Sequence, residues 1–482
     1  MLTTGEIKFF MDDDLTSPKK QFARIGVRYY EAKHDILESR LFFWNADGKL
    51  QEDKTRSNIR ISHPFFMELA EQLPAYMLSF DKNPIRAKDT STDLQNKLDL
   101  YFDDEFWVEF GDTILGAYVK GFDYMYAYKN SENRLTFQHA DSIGIIEVRE
   151  KDTDDGCKHI IYWYIDRIDK GKKEIKRIEV WSEEGIYYYV QVDGGDIVKD
   201  KSEPVNPRPH VVYTEEKTGQ KMGYQFGYIP FFRLDNNKKQ ISGLKPIKGI
   251  IDDYDLHACS LSNNLKDFDT PLHVVTGFQG DDLDELQKNL KTKKIIGVDD
   301  GGVDIKTVDI PFEARKAKLE LDEKNIYKFG MGLNTNGLKD SNATTNLAIE
   351  TCYALLKIKA DNMQKRANKM LKEICKVVLA DINLANKTDY QISDIEFKFQ
   401  RTTLNNETEN IANEKVKADT QQVKVNTILD VAEVIGNEQV LKAVCEQLDL
   451  DYEEIKKQVV KQQKEADLEA AQNAIDNAII EE

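Results

Sequence analysis

One stripe of apolar residues, Leu244, Ile247, Ile251, Tyr254, Ala258, Leu261, Leu265 and Phe268, constrains this chain more than any other feature. Its steps alternate between three and four residues, and only a helix sets such positions on one face. Lys248, Asp252, Asp253, Asp255, Ser262, Asn263, Asn264 and Lys266 fill the flanks, so the seam is narrow and the remaining surface is expected to meet water or another polar surface. A core helix of an ordinary globular domain satisfies this pattern, as does a helix closed by a narrow partner outside the chain.

The rest of the chain bears on that choice. At 482 residues it exceeds what one hydrophobic core supports, which predicts two to four domains or a very elongated subunit. A content of 40% hydrophobic and 32% charged residues is that of a globular protein. A net charge of −18, from 67 basic against 85 acidic residues, argues against gripping nucleic acid by neutralising phosphates. It is compatible with letting nucleic acid slide past, because an acidic wall repels the backbone. Cys157, Cys259, Cys352, Cys375 and Cys445 are odd in number and far apart, and read as reduced thiols of a cytosolic protein. The N-terminal segment MLTTGEIKFFMDDDL has no signal-peptide pattern, and no run of about eighteen apolar residues occurs, so a soluble intracellular protein without a membrane span is expected.

Ser17-Pro18 marks a helix start, and the helical segment it opens runs to about Arg40. A helix carrying FFMELAEQL follows His63-Pro64 and should end or kink around Pro74. A third is expected near Leu94 to Val119, with Tyr101, Phe102, Phe106, Trp107 and Phe110 as core. From Phe122 to Phe232 short β-branched and aromatic runs alternate with Gly and Asp turns, predicting a β-rich, meander-like domain. After the seam helix, LHVVTGF, DDLDELQKNL, KKIIGV and VDIKTV predict a strand, a short acidic helix and two more strands, a unit too small to be stable alone. Pro311 starts a helix with Phe312, Leu319 and Ile326 at sevenfold spacing, and Gly330 closes it. MGLNTNGLKDSNATTN has the chemistry of a loop. Ile349, Cys352, Leu356, Ala360, Met363, Ala367, Met370, Ile374 and Val377 then predict a helix from Ala343 to Ala380, on the order of 50 Å long. The C-terminal part reads as helical, with Gly436 as a stop and Asp451 with Glu454 as a capping box.

The usual enzyme signatures are missing: no GxxxxGK[ST], GxGxxG, HExxH or GxSxG occurs. Asp152, Asp154 and Asp155 before Gly156 lack the spacing and closing Glu of a calcium loop and read as a hairpin turn. The scattered histidines read as structural or exposed, and Asp252, Asp253, Asp281, Asp282 and Asp284 as solvated helix faces rather than acid/base pairs.

The segments NIRISHPFFMELAEQLPAYMLSFDKNPI, GIIDDYDLHACSLSNNLKDFDTPLHVVTGFQGDDLDEL and ELDEKNIYKFGMGLN, followed by the Gly/Asn loop and the long helix, resemble the portal proteins of tailed bacteriophages with long non-contractile tails. The likeness covers most of residues 20–450 in order. It implies an α+β, mainly α-helical elongated subunit. A wing would span 1–240, β-rich over 122–235, with a stem helix at 241–268, a small α+β clip at 269–310 and a second stem helix at 311–330. A tunnel loop would follow at 331–342, the long wing helix at 343–385, and the crown and C-terminal helices at 386–482.

The resemblance further implies a closed ring of about twelve copies around a channel for double-stranded DNA, with one heterologous interface repeated about the axis. The stripe from Leu244 to Phe268 would be the intersubunit seam. Asn334, Asn336, Gly337, Lys339, Asp340, Ser341 and Asn342 would face DNA, and Asp281, Asp282, Asp284 and Glu285 would present the clip to partners. Those partners would be the terminase large subunit, scaffolding and major capsid proteins and a head completion or adaptor protein. The protein would be a non-enzymatic component of the virion portal vertex, assembled in the host cytoplasm, with no cofactor or metal. A helical scaffolding protein without a channel, or a nucleic-acid-processing enzyme with an unfamiliar site, are the rival readings.

Overall fold

In the computed structural model the chain forms two units, residues 1–337 with 352–402 and residues 338–351 with 403–482. The structure describes residues 1–45, 47–54, 56–88, 92–130, 134–149, 156–169, 173–214, 221–268, 272–275, 303–306, 312–334, 346–401, 407–430, 436–448, 452, 455–458 and 461.

The first unit opens with α1 (Thr4–Thr16), capped where the Thr3 side chain accepts from the Glu6 amide and the Glu6 carboxylate accepts from the Thr3 amide. Pro18 stands at the first position of α2 (Pro18–Tyr30), as the Ser-Pro pair predicts. That segment stops at Tyr30 rather than reaching Arg40, and a short 3₁₀ turn at Asp35–Glu38 follows. A two-stranded hairpin, β1 (Phe42–Trp44) against β2 (Leu50–Glu52), carries Trp44 72% exposed beside the exposed Phe42, Phe43 and Leu50. The helix α3 (Phe65–Met77) does not end at Pro74. It runs one further turn, because Tyr76 and Met77 are buried and the Leu78 amide donates to the Pro74 carbonyl at 2.9 Å.

The single helix expected near Leu94 to Val119 is two. After β3 (Ile85–Ala87) come α4 (Thr92–Tyr101) and α5 (Asp104–Lys120), separated at Phe102-Asp103 because the Asp103 carboxylate accepts from the Phe106 amide and so begins a new helix. Phe102, Phe106 and Phe110 are buried, as expected of core residues. Gly121 ends α5 at φ +103°, where a Cβ would lie 2.4 Å from the Gln240 carbonyl oxygen.

The β-rich part is antiparallel. β4 (Phe122–Lys129) is central between β5 (Leu135–Ala140) and β13 (Phe231–Asp235). A meander of five, β6 (Ile145–Val148), β7 (His159–Asp169), β8 (Lys173–Ser182), β9 (Gly185–Val192) and β10 (Val198–Lys199), pairs each strand with the next. β11 (Val211–Thr214) and β12 (Lys221–Tyr224) form a hairpin. Ile7 and Met11 of α1 cover one part of the meander, packing with Ile146, Ile161, Ile178 and Val180. Residues 151–155, read as a turn, lie outside the described residues.

The stripe helix, α6 (Lys248–Phe268), is followed by β14 (Leu272–Val275) paired with β15 (Val303–Lys306), Leu272 opposite Lys306, and then by α7 (Phe312–Phe329). The acidic helix and the KKIIGV strand expected between them lie outside the described residues. α8 (Asn346–Asn386) has 41 residues, and at 1.5 Å per residue is about 60 Å long. Leu356, Ala360, Met363, Ala367, Met370 and Ile374 are buried along one face, as the spacing predicts. β16 (Ile395–Phe397) pairs with β3.

In the second unit α9 (Glu407–Asp430) and α10 (Asn437–Leu448) pack together, and Gly436 takes φ +88° before α10. Asp451 and Glu454 lie outside the described residues. The five cysteines are free thiols.

Candidate functional site

The stripe helix is held at its base by charges that its own sequence does not reveal. Asp255 is fully buried. Its Oδ2 accepts from His34 Nδ1 at 2.6 Å, and its Oδ1 accepts from His63 Nδ1 at 2.7 Å and from the His63 amide at 3.0 Å. Burial pushes the Asp255 carboxyl up, but the hydrogen bonds from His34 and His63 more than offset it and hold the group below its ordinary range. Tyr29 stacks on His34 with ring centroids 4.4 Å apart, and its hydroxyl donates to Asp252. Lys248 bridges Asp252 at 2.8 Å and Asp35 at 2.6 Å.

α7 runs back along α6. Tyr254 and Tyr327 meet the same Phe65 ring, centroids 4.8 and 6.1 Å away, and at the other end the Asn264 amide oxygen faces the Arg315 guanidinium at 2.6 and 2.9 Å. Lys318 joins the pair through Asp253 of α6 and Asp322 of its own helix. Asp252 and Asp253 are therefore paired, not merely solvated.

The end of α7 is fixed from several sides, and this is where the Gly/Asn loop begins. The Gly330 amide donates to Ile326 at 2.8 Å and the Gly332 amide to Tyr327 at 2.9 Å, with Met331 between them at φ +52°. A Cβ on Gly332 would lie 2.0 Å from Leu69 Cδ2, so any larger residue there would force the Leu69 side chain to shift. Gln72 holds Leu333 twice, accepting from its amide at 2.8 Å and donating to its carbonyl at 3.0 Å. Lys359 of α8 donates to the carbonyls of Leu69 and Gly330, both at 3.2 Å, and lies 4.6 Å from the centroid of Tyr118. Among the described residues it has no carboxylate in ion-pair reach, and burial pushes its ammonium down to about 7.

The structure divides the stripe. Leu244, Ile247 and Ile251 are completely buried inside the single chain, and a Cβ on Gly330 would stand 3.5 Å from Ile247 Cδ1. They cannot face a sister copy, which corrects that part of the expected intersubunit seam. Leu244 and Ile247 also precede the first helical residue, Lys248. Tyr254, Ala258 and Leu261 are half-buried, and Leu265 is exposed. Phe268 ends the helix, and its side chain is outside the described residues. Leu256 and Leu265 of α6 and Phe312 and Leu321 of α7 leave about half of each side chain in water. Asn334 is half-buried at the loop root. Asn336, Gly337, Lys339, Asp340, Ser341, Asn342, Asp281, Asp282, Asp284 and Glu285 lie outside the described residues.

Sequence reasoning missed His34, His63, Gln72 and Lys359. Each acts on a residue far along the chain, as with the 221 positions between His34 and Asp255, and no local pattern marks such partners. What the arrangement does is mechanical: it anchors one end of a helix pair and the residues that follow it, and leaves apolar side chains on that pair about half exposed. Among the described residues no group of three or more His, Cys, Asp or Glu is placed to hold a metal ion, and no helix is long and apolar enough to cross a membrane.

Residues 21–470 match the family model described as phage portal protein, SPP1 Gp6-like. The portal protein of Bacillus phage SPP1 is 26% identical over 386 residues, covering 80% of this chain and 75% of that protein. The portal protein of Clostridium phage phiCD119 is 25% identical over 404 residues, covering 79% of this chain and 82% of that one.

Proposed function

Because this chain belongs to the SPP1 Gp6-like family of phage portal proteins, we propose that its copies close into a ring of about twelve at one vertex of the capsid, around a channel for double-stranded DNA. The match across residues 21–470 carries this reading, since it takes in the helix pair, the loop root and the long helix together. As a phage portal protein the chain is a structural component of the virion.

In this reading residues 1–240 and 343–385 are the wing, 241–268 and 311–330 the stem, 269–310 the clip, 331–342 the tunnel loop and 386–482 the crown. The ring serves genome packaging, retention and ejection. The clip, with Asp281, Asp282, Asp284 and Glu285, docks the terminase large subunit and later the head completion protein, and scaffolding and major capsid proteins are further partners. ATP hydrolysis belongs to the terminase. Asn334, Asn336, Gly337, Lys339, Asp340, Ser341 and Asn342 face the DNA.

Two physical facts support the reading. Leu256, Leu265, Phe312 and Leu321 are each about half exposed on the helix pair, apolar positions that neighbouring copies in a ring would cover. The net charge of −18 suits a conduit, because each phosphate held tightly would slow a moving duplex. Native mass spectrometry and negative-stain microscopy of the purified chain test it. Rings with a central hole and a mass near twelve subunits are the expected outcome; a compact monomer at high concentration, or rods, overturns it.

A further inference from the structure

On the face shared by the meander and the β4 sheet, Glu179 sits in a setting that stands apart from the ring reading. The register places it in β8 directly opposite Tyr162 of β7 on one side and Tyr188 of β9 on the other. Side chains two residues apart on a strand share a face, so Trp181 joins this row. Tyr126 of β4 closes against it, with ring centroids 6.0 Å from Trp181 and 6.4 Å from Tyr162. Together with Lys129 and Arg208, among others, they line a cleft of about 500 Å³.

Glu179 lacks a counter-ion. Its Oε1 accepts from the Tyr164 hydroxyl at 3.1 Å and its Oε2 from Trp181 Nε1 at 2.9 Å, yet among the described residues no lysine or arginine comes within ion-pair distance. Burial raises its carboxyl above the ordinary range, despite those two donors and the more distant Arg208 and Arg177. A carboxylate ringed by aromatic faces and short of a positive partner is a receptor for a cation. The protein already uses this chemistry once nearby: the Arg208 guanidinium lies 4.8 Å from the centroid of Tyr188. Among the described residues, no cation covers Tyr126, Tyr162, Tyr164 or Trp181.

His210 forms part of the cleft wall. It is 7% exposed and stacks on Trp181, ring centroids 5.7 Å apart. Its Nδ1 accepts from the Phe226 amide, and its Nε2 is buried with the Ser182 backbone beside the ring.

We propose that this cleft receives an arginine side chain from a segment of a partner protein. Its guanidinium pairs with Glu179 and lies against the aromatic rings that line the cleft. Arginine suits the cleft better than a free cation, because its flat guanidinium stacks on the rings. The net charge of −18 draws a basic segment toward the surface. A neutral saccharide would also stack on the rings, but it would leave the carboxylate uncompensated.

Calorimetric titration of the full chain decides the matter, using three probes: an acetyl-Gly-Arg-Gly-amide peptide, its citrulline counterpart and a chito-oligosaccharide. The arginine peptide is expected to bind about tenfold or more tightly than the citrulline peptide. Glu179→Gln should weaken it by about the same factor while leaving the citrulline peptide unaffected. Tyr126→Leu, which keeps the carboxylate, should weaken it too, and keeps the test decisive should Glu179→Gln misfold. Equal binding of the arginine and citrulline peptides, no binding of either, or preference for the saccharide overturns the assignment.

Discussion

Lys359 Nζ of the long helix and the main-chain oxygen of Gly330 lie 3.2 Å apart, so a buried ammonium sits at the point where α7 ends and the Gly/Asn loop begins. The contact joins two parts of the chain, and among the described residues no carboxylate shares the charge. Burial accordingly shifts Lys359 toward its neutral form.

The sign of the resulting pH dependence is fixed. With the folded value near 7 and the unfolded one at 10.5, the unfolded chain binds more protons between those limits. Lys359 therefore favours folding fully above the upper limit, and that contribution is lost as pH falls through about 7. Lys359→Met should remove a slope of at most about 1.4 kcal/mol per pH unit. Denaturant titrations from pH 7 to 10 should show the variant ahead at pH 7 and the gap narrowing with pH. Parallel curves would mean the ammonium is well solvated.

Asp255 gives a second test of the same sign, displaced to the acid range. Its carboxyl is held below 3.8 in the folded state, so its contribution is full above that value and lost as pH falls through the lower folded one. Asp255→Asn should cost about 3 kcal/mol near neutral pH, since it strands two histidines against a neutral amide. Below the folded value the difference should shrink. Urea unfolding at several pH values reads both.

Leu265 and Leu261 separate assembly from folding. Leu265 is 50% exposed, so Leu265→Asp should change subunit stability by no more than about 0.5 kcal/mol while blocking ring closure. Leu261→Asp, at a half-buried position, should lower both. Native mass spectrometry with thermal melts gives the two readings, and intact rings from Leu265→Asp would place the subunit contact elsewhere.

The loop and its root should behave as separate parts. Removing residues 335–342 leaves the Gln72 clasp on Leu333 untouched, so rings should form normally while DNA packaging or retention fails. Phage titres and the fraction of filled heads measure this. Gln72→Ala should instead lower stability by about 1 to 3 kcal/mol, because it strips Leu333 of both its partners.

Much of the architecture was legible in residue spacing. Ser17-Pro18 marked α2, the three-and-four steps after Ile349 marked α8, and the aromatic runs between Gly and Asp turns marked the meander. The failures have a common cause. Asp255 carries no local sign that it is buried, because His34 and His63 reach it from about two hundred positions away. Leu244, Ile247 and Ile251 looked available to a neighbour, since spacing fixes a helix face but not what covers it. Pro74 and Asp103 mislead for a related reason: burial beyond a proline can sustain a turn, and a capping carboxylate can split an apparently continuous helix.

The hairpin that carries Phe42, Phe43 and Trp44 in water has a practical corollary. A freshly made copy carries sticky aromatic side chains on a hairpin that, among the described residues, pairs with no third strand, the combination that precipitates proteins kept waiting. Supply would then have to keep step with incorporation: a host that makes this chain faster than shells can take it up would collect it as insoluble deposits, and co-expression with its neighbours should keep it dissolved.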